Sequence, residues 1–451
     1  MKNLDKFFKP ENVAVIGVSK NPEKVGHVIF RNMLNGFGGK VFPINPNAES
    51  VLNRVCYKSV TDIKEKIDMA VIAIPAKLIL NVIKDCGQKK IKHVVIISAG
   101  FGETGNDKLQ NEVKKLLNKF KINVIGPNVL GILDAYSKVD CLFIPQFKMQ
   151  RPNPGGIGFI SQSGALGTAI LDLVASKDIG FSKFISYGNA INTDESDLIE
   201  YLGDDPETKV ICLYIEGVKD GKRFMEVCKK VSEKKPIIAI KGGKTNEGGA
   251  AALSHTGSLA GDALIYSGVF KQCNIISADS LEEMFDYALI LDMCVKPKGK
   301  KIMVLTDGGG YGIISADEII ENGLELSELN KNNVKELKKL LPPIVSVRNP
   351  LDIIGDSDVV RYDNALSVLI DDPGIDIILV VVLFQLPLID DRVVETIVKY
   401  NNMKLKPMIV ISTGGKYVEN INKKFINSGI PCYQFPYSGV KAVKKLVEYY
   451  S

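Results

Sequence analysis

The feature of this sequence that most restricts its fold is a repeated alternation between short, continuous apolar runs and amphipathic stretches. The stretches have helical periodicity, as in NEVKKLLNKF and NNVKELKKLL. The apolar runs are rich in Val and Ile, and they include NVAVIGV, MAVIAIP, HVVIISAG, VICLYIE and DIILVVVLF. Strands that are apolar along their whole length are buried on both faces, which is typical of parallel sheets covered by helices. The alternation therefore predicts an α/β protein.

Two short segments interrupt this alternation and indicate where one folding unit ends and the next begins. A chain of 451 residues exceeds the size at which a single hydrophobic core stops growing, so two or three domains are expected. The segments QRPNPGG (150–156) and KPKGKK (296–301) are rich in Pro, Gly or Lys, which favours loops. Each is predicted to mark the entry into a new unit.

Composition narrows the classes of function and the compartment. The formal net charge is only +5, and Lys and Arg are interleaved with Asp and Glu, so nucleic acid is not a predicted partner. No segment reaches the roughly 20 uninterrupted apolar residues of a membrane span, so no membrane partner is expected either. The eight cysteines are scattered singly and without metal-ligand spacing. This pattern predicts reduced thiols, no metal site and a cytoplasmic protein.

Three of the predicted units open in the same way, with a buried strand, a turn of Gly and Ser, and a helix that begins immediately. The three openings are NVAVIGVSKNPEKVGHVIF, GIGFISQSGALGTAILDLV and GKKIMVLTDGGGYGIISADEII. Such a turn directs free backbone N–H groups and the positive end of the helix dipole at one point. A tight turn without a ligand is the simpler interpretation of any one opening. Three openings of this kind favour three sites for anionic groups.

The first of these turns differs from the dinucleotide-binding turn of NAD-dependent enzymes. It lacks the GxGxxG pattern and contains Lys20 and Lys24, and the second predicted strand ends at Asn45, where an NAD site would need a carboxylate. Coenzyme A, with its pyrophosphate and 3′-phosphate, fits the two lysines better, and the strand ends INPN and AIPA offer apolar walls. An NAD(P)-linked oxidoreductase is therefore the disfavoured alternative.

One histidine stands out from the other two. His27 and His93 lie at the starts of a predicted helix and strand, where packing or surface roles are expected. His255 lies in KGGKTNEGGAAALSHTGSLAGDAL, a stretch of small residues that suits a long loop. A neutral imidazole is a nucleophile near pH 7 and can carry a phosphoryl group. Glu216, at the end of the strand VICLYIE, is a candidate to hold the other ring nitrogen of His255.

These motifs together resemble the α subunit of the NDP-forming acyl-CoA synthetases, in particular ADP-forming acetyl-CoA synthetase, which is related to succinyl-CoA synthetase. The resemblance rests on GVSKNPEKVG, INPN, AIPA, SAGFGE, GPNVLGI, SQSGALG, YIEG, SHTGSLAG, TDGGGYG and NPLDIIG, in this order along the chain. It implies a Rossmann-like CoA-binding domain over residues 1–128, a ligase domain with the phosphohistidine loop over 129–297, and a second flavodoxin-like domain over 298–451.

The resemblance also implies roles for individual residues. His255 would be the phosphorylated catalytic residue and Glu216 its support. The residues implied to bind CoA are Gly17, Ser19, Lys20, Lys24, Asn45, Pro46, Pro75 and Ser98. The residues implied to bind phosphate are Asn128, Ser161, Ser163 and Gly164, with Gly308, Gly309 and Gly310 in the third domain.

The implied reaction converts acyl-CoA, phosphate and ADP into acid, CoA and ATP, reversibly, through acyl phosphate and phosphohistidine. An ATP-grasp module binds ADP and Mg²⁺ in this family, and the resemblance implies that it lies here on a separate β chain, in an α2β2 assembly. A protein that binds or senses CoA without catalysis remains an alternative. The acyl specificity depends on the side chains of the acyl pocket, and the choice between ADP and GDP lies with the partner chain.

Overall fold

The computed structural model of this protein describes residues 2–245 and 263–451, and it contains three largely parallel sheets covered by helices. The predicted α/β fold class is confirmed. By its internal contacts the chain divides into two compact units, one that ends at Ala278 and one that runs from Asp279 to Ser451. The first two sheets lie in the first unit, and the third sheet lies in the second.

The first sheet is entirely parallel, and the interior of its strands is buried. Its strands are β1 (Asn12–Ile16), β2 (Lys40–Ile44), β5 (Met69–Ile72), β6 (His93–Ile96) and β7 (Asn123–Ile125), with a small hairpin of β3 (Ser50–Val51) and β4 (Arg54–Val55) after β2. The helices around it are α1 (Asp5–Phe8), α2 (Val25–Leu34), α3 (Ile79–Gln88) and α4 (Asp107–Phe120), with 3₁₀ turns at Val60–Asp62, Ala76–Leu78 and Gly102–Thr104. The strand order is β2-β1-β5-β6-β7.

The second sheet is parallel except for one edge strand, β8, which pairs antiparallel with its neighbour β10. Its strands are β8 (Ile132–Asp134), β9 (Pro154–Ser161), β10 (Phe181–Ser186), β11 (Val210–Ile215), β12 (Ile237–Lys241) and β13 (Ile275–Ser277). Its described helices are α5 (Gly164–Ser176), α6 (Glu195–Asp204), α7 (Gly221–Ser232) and α8 (Ala263–Gln272). The strand order is β13-β12-β11-β9-β10-β8, and one hydrophobic cluster contains buried side chains of both this sheet and the first.

The third sheet forms the centre of the second unit. Its strands are β14 (Lys301–Thr306), β15 (Glu325–Leu326), β16 (Leu351–Asp352), β17 (Ile377–Val381), β18 (Met408–Ile411) and β19 (Cys432–Tyr433). The helices of this unit are α9 (Leu281–Met293), α10 (Gly309–Glu321), α11 (Lys331–Leu340), α12 (Val359–Leu369), α13 (Asp391–Asn401), α14 (Lys416–Asn427) and α15 (Pro436–Tyr450). The main strand order is β15-β14-β17-β18-β19, and β16 pairs with β14.

All three sheets share one topology. In each, the first parallel strand lies between the second and the third, which gives the order 2-1-3-4-5 when the main parallel strands are counted along the chain. In doubly wound sheets of this order, the connections change side next to the first strand, and ligands bind at the carboxyl ends of the strands at that point. The first strands are β1, β9 and β14, and these are the strands of the three predicted openings.

The predicted domain boundaries stay predictions, because the compact units are defined by internal contacts and not by domain family or function. Helix α9 precedes the predicted boundary at 297–298, yet it belongs to the second compact unit. Within that unit the Tyr433 hydroxyl donates to the Asp286 carbonyl at 2.8 Å, and Lys441 forms an ion pair with Glu283 at 2.9 Å. Helix α9 therefore packs with the third sheet's helices.

Candidate active site

A cavity of about 1520 Å³ opens at the carboxyl ends of the first sheet's strands and reaches the start of α5. It lies where the topology of the first sheet predicts a ligand. The strands β1 and β5 are neighbours at the switch point, and residues that follow both of them line the cavity. Small-molecule sites typically measure roughly 300–1000 Å³. The cavity is therefore large enough for a long ligand. Of the residues predicted to bind CoA, those that line it are Gly17, Ser19, Lys24, Asn45, Pro46, Pro75 and Ser98.

The turn after β1 is shaped by two close backbone approaches. Gly17 has φ +94°, and a Cβ built on it would lie 2.2 Å from the Ala73 carbonyl oxygen. A Cβ on Gly26 would lie 2.1 Å from the Gly17 carbonyl oxygen, so the first turn of α2 packs directly against this loop. Only glycine fits at either position. The two glycines place the start of α2 at the cavity.

Two side chains contact the backbone carbonyls of this turn. The Asn45 side-chain amide donates to the Val18 carbonyl at 2.6 Å, and the His27 Nδ1 lies 2.7 Å from the Ser19 carbonyl oxygen. His27 is buried, which agrees with the packing role expected for it. The end of β2 thus carries an amide that fixes the loop, where an NAD site would carry a carboxylate.

The two predicted lysines are placed differently. Lys24 is the N-cap residue of α2 and lines the cavity, but Lys20 is not among the residues that line it. Lys58, which was not predicted, lines the cavity with Ser59 and Val60. Lys24 and Lys58 are therefore the cations that the fold brings to this part of the cavity.

The predicted residues at the end of the first domain lie against each other. The Ser98 hydroxyl is hydrogen-bonded to the Ile74 backbone, and the Ser98 carbonyl accepts from the Asn128 amide at 3.0 Å. Asn128 has φ +62° and follows the cis peptide between Gly126 and Pro127. Asn128 lines the cavity, so the predicted phosphate residue and the predicted CoA residue Ser98 share one wall.

Helix α5 also begins at the cavity. Ser163 is its N-cap residue, with a side chain that accepts from the Leu166 amide at 3.3 Å, and both Ser163 and Gly164 line the cavity. Ser161 is fully buried, and its hydroxyl donates to the Ser163 carbonyl at 2.8 Å. Ser161 therefore shapes the turn, while Ser163 and Gly164 present the helix N-terminus, which attracts anions, to the cavity.

Gln162, between these two serines, ties three parts of the second sheet together. Its Oε1 accepts from the Glu216 amide at 2.8 Å, from the Gly217 amide at 3.2 Å and from the Tyr187 hydroxyl at 3.2 Å. Gln162 also lines the cavity. Because one neutral oxygen satisfies all three donors, the turn before α5 is held without a negative charge.

A hydrogen-bonded bridge joins the first two sheets across the cavity. The Glu103 carboxylate accepts from the amides of Gly100 and Phe101 and from the Asn189 side chain, and Gln110 also accepts from Asn189. Burial acts to raise the pKa of Glu103, but these hydrogen bonds hold it below its usual range. Glu103 is therefore ionised at neutral pH and fixes the loop after β10 to the loop after β6.

Glu216 lies where the predicted histidine loop begins. It follows β11 and is 6% exposed, and its Oε1 accepts from the Tyr214 hydroxyl at 3.4 Å. Its Oε2 is buried and has no hydrogen-bond partner among the described residues. A Cβ on Gly242 would lie 3.4 Å from the Glu216 Cγ, so this carboxylate is next to the strand end that leads toward residue 246. His255 itself lies outside the described residues, and its role stays a prediction.

The third predicted opening has the same form but a different charge. The Thr306 hydroxyl donates to the Gly308 carbonyl at 3.0 Å, and Gly308 is the N-cap residue of α10, without a side-chain cap. Asp307 is buried, and both of its carboxylate oxygens accept from the Leu383 amide at 3.1 Å. The Asp352 carboxylate adjoins Gly309, on which a Cβ would lie 2.7 Å from Oδ2. Two acidic side chains thus accompany this helix start.

The sequence prediction overlooked several residues that line the cavity, namely Gln162, Tyr187, Asn189, Glu195, Lys219 and Lys58. Gln162 could have been found, because it lies inside the motif SQSG between two residues that were chosen. Glu103 was part of the motif SAGFGE but was given no role. Tyr187, Asn189 and Lys219 lie in loops after β10 and β11, Glu195 is the first residue of α6, and Lys58 follows β4. No local pattern distinguishes these five from ordinary surface residues.

Two kinds of feature are absent from the described residues. No cluster of His, Cys, Asp and Glu in residues 2–245 and 263–451 has the geometry of a metal site. In the same part of the chain, every helix is too short or too polar to span a bilayer.

The fold and the cavity define the class of protein to which this chain belongs, a doubly wound α/β protein with a large cavity at the switch point of its first sheet. Family models agree along most of the chain. Residues 11–135 match a CoA-binding domain, residues 154–291 match a succinyl-CoA ligase-like flavodoxin domain, and residues 302–451 match a ligase-CoA domain.

Full-length relatives narrow the class. The α subunit of the ADP-forming acetate–CoA ligase II of Pyrococcus furiosus is 40% identical, over 99% of this chain and 97% of its own length. An ADP-forming acetate–CoA ligase of Methanocaldococcus jannaschii is 42% identical over 98% of this chain, which spans 62% of that longer protein.

A solved structure gives the same result. The acetyl-coenzyme A synthetase 1 of Candidatus Korarchaeum cryptofilum, in complex with phosphate and ADP, superposes with a TM-score of 0.92 at 38% identity, covering 100% of this chain and 97% of that one. This chain therefore belongs to the family of ADP-forming acyl-CoA ligases, and it corresponds to their α-subunit portion. The family resemblance in the sequence motifs is confirmed.

Proposed function

We propose that this chain is the CoA-binding, phosphohistidine-carrying subunit of an ADP-forming acyl-CoA ligase. In this role it takes part in the reversible conversion of acyl-CoA, phosphate and ADP into acid, CoA and ATP. The observation that carries the proposal is the single cavity that joins the switch point of the first sheet to the N-terminus of α5. A ligand that extends from Lys24 to Ser163 brings its far end to a helix start that attracts phosphate.

In the proposed mechanism, residues at the ends of the first sheet's strands bind CoA, and the start of α5 orients phosphate. The turn at Gly17, the cation Lys24 and the walls at Asn45, Pro46 and Pro75 hold the CoA portion of the substrate. The backbone N–H groups at the start of α5, with Ser163, hold phosphate beside the thioester. Attack of phosphate on the acyl carbon then gives acyl phosphate and free CoA. A preorganised helix N-terminus stabilises the charge without contributing a proton of its own.

The next step in the proposal passes the phosphoryl group to His255. Glu216 supports this role because its Oε2 is buried without a partner among the described residues, at the strand end that leads toward the histidine loop. A carboxylate in this position can hold one imidazole nitrogen and leave the other free to attack. Gly308, Gly309 and Gly310 remain proposed as a second helix start for the phosphoryl group.

The nucleotide is proposed to bind elsewhere. No GxxxxGK[ST] motif is present in the 451 residues, and the relative from Pyrococcus furiosus is named as an α subunit. We therefore assign ADP and Mg²⁺ to an ATP-grasp β chain, and we expect an α2β2 assembly in the cytoplasm. In the longer relatives the corresponding segment would be covalently joined.

The experiment separates the half-reaction from net synthesis. The purified full chain is incubated with phosphate and a panel of acetyl-, butyryl-, phenylacetyl- and benzoyl-CoA, and the release of free thiol is measured. Phosphate-dependent release is expected with at least one acyl-CoA. ATP should form from ADP only after a co-purified nucleotide-binding chain is added.

Each outcome bears on a different part of the proposal. ATP synthesis at full rate by the isolated chain would contradict the assignment of ADP to a partner. Tight CoA binding without thiol release in the isolated chain or in the assembly would instead favour a non-catalytic CoA-binding protein. A change in NAD(P)H absorbance with any substrate would instead favour the alternative of an NAD(P)-linked oxidoreductase.

A further inference from the structure

Glu195 is a buried carboxyl group in the wall of the cavity, and the proposed mechanism gives it no role. It is the first residue of α6, it is 3% exposed, and it lines the same cavity as Gln162, Ser163 and Gly164. Acidic residues are common in the first turn of helices, where they interact favourably with the helix dipole at the surface. Burial beside a cavity sets this one apart, because an unpaired carboxylate out of water is costly.

The neighbouring acids are neutralised, but Glu195 is not. Asp194 and Asp197 form a capping box at the start of α6. Arg223 forms ion pairs with both, and Lys2 forms a further pair with Asp197 at 2.6 Å. In contrast, the Glu195 carboxylate makes no hydrogen bond or ion pair with another side chain of the described residues. It is therefore the acid of this group that is available to a ligand.

The cation Lys219 acts on Glu195 through space. Its Nζ donates to the carbonyl oxygens of Asn189 at 2.9 Å and Ala190 at 3.3 Å, and it lines the cavity. Burial raises the pKa of Glu195 to about 7, and Asp194 and Asp197 add to the increase, while a hydrogen bond from its own backbone amide and the charge of Lys219 oppose it. The other titratable groups that interact with Glu195 are Tyr187, Tyr266 on α8 and Cys228 on α7.

We propose that Glu195 is the general acid–base group that moves the proton between the CoA thiol and phosphate. This inference rests on the proposed function and deepens it. When CoA reacts with acyl phosphate, the Glu195 carboxylate accepts the thiol proton, and the sulfur forms a bond to the acyl carbon. The bond from that carbon to the phosphate oxygen breaks, and Glu195 returns its proton to the leaving phosphate. The products are acyl-CoA and HPO₄²⁻, so atoms and charge balance.

The chemistry of the thiol explains why such a group is useful. A free thiol has a pKa of about 8.5, so at neutral pH most of it is not the reactive thiolate. A general base is most effective when its own pKa lies near the working pH. In the opposite direction the same carboxyl, now protonated, donates to the departing thiolate.

The test uses the thiol-consuming direction, because inorganic phosphate, which titrates near neutral pH, is then absent from the substrates. Acetyl phosphate and CoA are given to the full chain, and thiol consumption is followed from about pH 5.5 to 9. If the acyl-CoA panel reveals a better acyl group, its acyl phosphate is used. The wild-type rate should rise with pH through about 7.

Glu195→Gln should lower kcat on the order of 10²-fold. The KM values for CoA and acetyl phosphate should stay within about threefold, because the amide keeps the shape of the wall. In this variant the rate should rise only as the thiol itself ionises, near pH 8.5. Glu200→Gln is the matched control. Glu200 lies on the same helix, pairs with Lys230 at 3.2 Å and does not line the cavity.

A second variant keeps the test decisive if Glu195→Gln folds poorly. Lys219→Gln removes the positive charge that opposes the rise in the Glu195 pKa. The inflection of the pH–rate profile should therefore lie at higher pH in this variant than in the wild type. An inflection that stays near 7 in both variants would overturn the role of Glu195 and leave the proposed function intact. Absence of thiol consumption by the wild-type chain with every acyl phosphate would overturn both.

Discussion

The starts of helices α5 and α10 are built to the same plan, yet the side chain within the turn is neutral at α5 and acidic at α10. In both, a hydroxyl at the end of the first strand donates to the carbonyl two residues later, from Ser161 to Ser163 and from Thr306 to Gly308. In both, the side chain of the residue in between accepts from backbone amides at the end of the third strand. That residue is Gln162 in one case and Asp307 in the other.

The difference decides what each helix start can bind. At α5 the position holds a neutral amide and the N-cap residue is a serine, so the positive helix end is left to a ligand. At α10 burial raises the pKa of Asp307, the nearby Asp352 adds to this increase, and the Asp352 carboxylate adjoins Gly309. A shared topology therefore does not give a shared ligand. The charge of one side chain in the turn matters as much as the glycines.

Helix α2 extends the comparison in the opposite direction. Its N-cap residue is Lys24, where α5 has Ser163 and α10 has Gly308. The three helix starts thus run from cationic through neutral to acidic surroundings. On electrostatic grounds we expect the strongest binding of a phosphate-bearing ligand at α2 and α5, and the weakest at α10 in its present state.

The largest effect is expected from His255→Ala. If α5 supplies phosphate to a histidine carrier, this change should abolish phosphoryl transfer to ADP in the assembled enzyme. The affinity for CoA should stay nearly unchanged, because CoA is assigned to the first sheet. Incorporation of labelled phosphate and CoA binding are measured on the same preparation. Acid-labile phosphate that persists on the variant protein would contradict the role of His255.

An intermediate effect is expected when the charge of the α10 turn is moved to α5. Gln162→Glu keeps the shape of the side chain and its acceptor oxygens for the amides of Glu216 and Gly217, but it adds a negative charge beside the phosphate. The cost should be about 2 kcal/mol, which raises the KM for phosphate about thirtyfold. The reciprocal change, Asp307→Asn, is the matched control and should leave this KM unchanged. Equal phosphate KM values for wild type and Gln162→Glu would remove phosphate from the start of α5.

The sequence was sufficient to predict the fold class and the three helix starts, since both depend on local signals. Continuous apolar runs mark strands that are buried on both faces, and Gly17 and Gly164 mark turns that lead directly into helices. The sequence also pointed to the carboxyl ends of the strands, because topology puts the ligand there. These are properties of short segments and can be read one segment at a time.

What the sequence did not reveal depends on side chains that meet across the cavity. Ser161 and Ser163 look equivalent in SQSG, but the fold buries the first hydroxyl and leaves the second at the helix start. The role of Asn189 becomes clear only from the structure, in which its side chain donates a hydrogen bond to the Glu103 carboxylate. Glu195 looks like an ordinary first-turn acid until burial and the pairing of its neighbours are known. The role of His255 and the boundaries of the domains stay predictions.

A smaller effect is expected from Lys24→Ala, which makes the cap of α2 resemble the neutral caps of α5 and α10. A charge-assisted contact to phosphate contributes about 1.5–3 kcal/mol, so the affinity for CoA should fall about tenfold or more. Binding of CoA and of dephospho-CoA is compared by calorimetry. A larger loss for CoA would assign Lys24 to the 3′-phosphate. If both ligands lose affinity equally, Lys24 contacts the pyrophosphate. If neither ligand loses affinity, Lys24 lies outside the ligand's reach. Lys20→Ala is the control for simple loss of charge.

The smallest effect is expected from Asp307→Asn on the stability of the chain. Because burial raises the pKa of Asp307 above its value in the unfolded chain, the folded state binds the proton more tightly than the unfolded state does. The resulting stabilisation is present below the unfolded pKa, and it is lost as the pH rises through the folded pKa. At neutral pH, replacement by the neutral amide should therefore change the free energy of unfolding by no more than about 1 kcal/mol, in the stabilising direction.

Urea unfolding is measured at several pH values from about 4 to 8, with Gln162→Glu as the opposite change at α5. The gap between wild type and Asp307→Asn should widen with pH in favour of the variant. A gap that is independent of pH would mean that the Leu383 amide stabilises the ionised Asp307 carboxylate as well as water does. The electrostatic contrast between α5 and α10 would then rest on Asp352 alone.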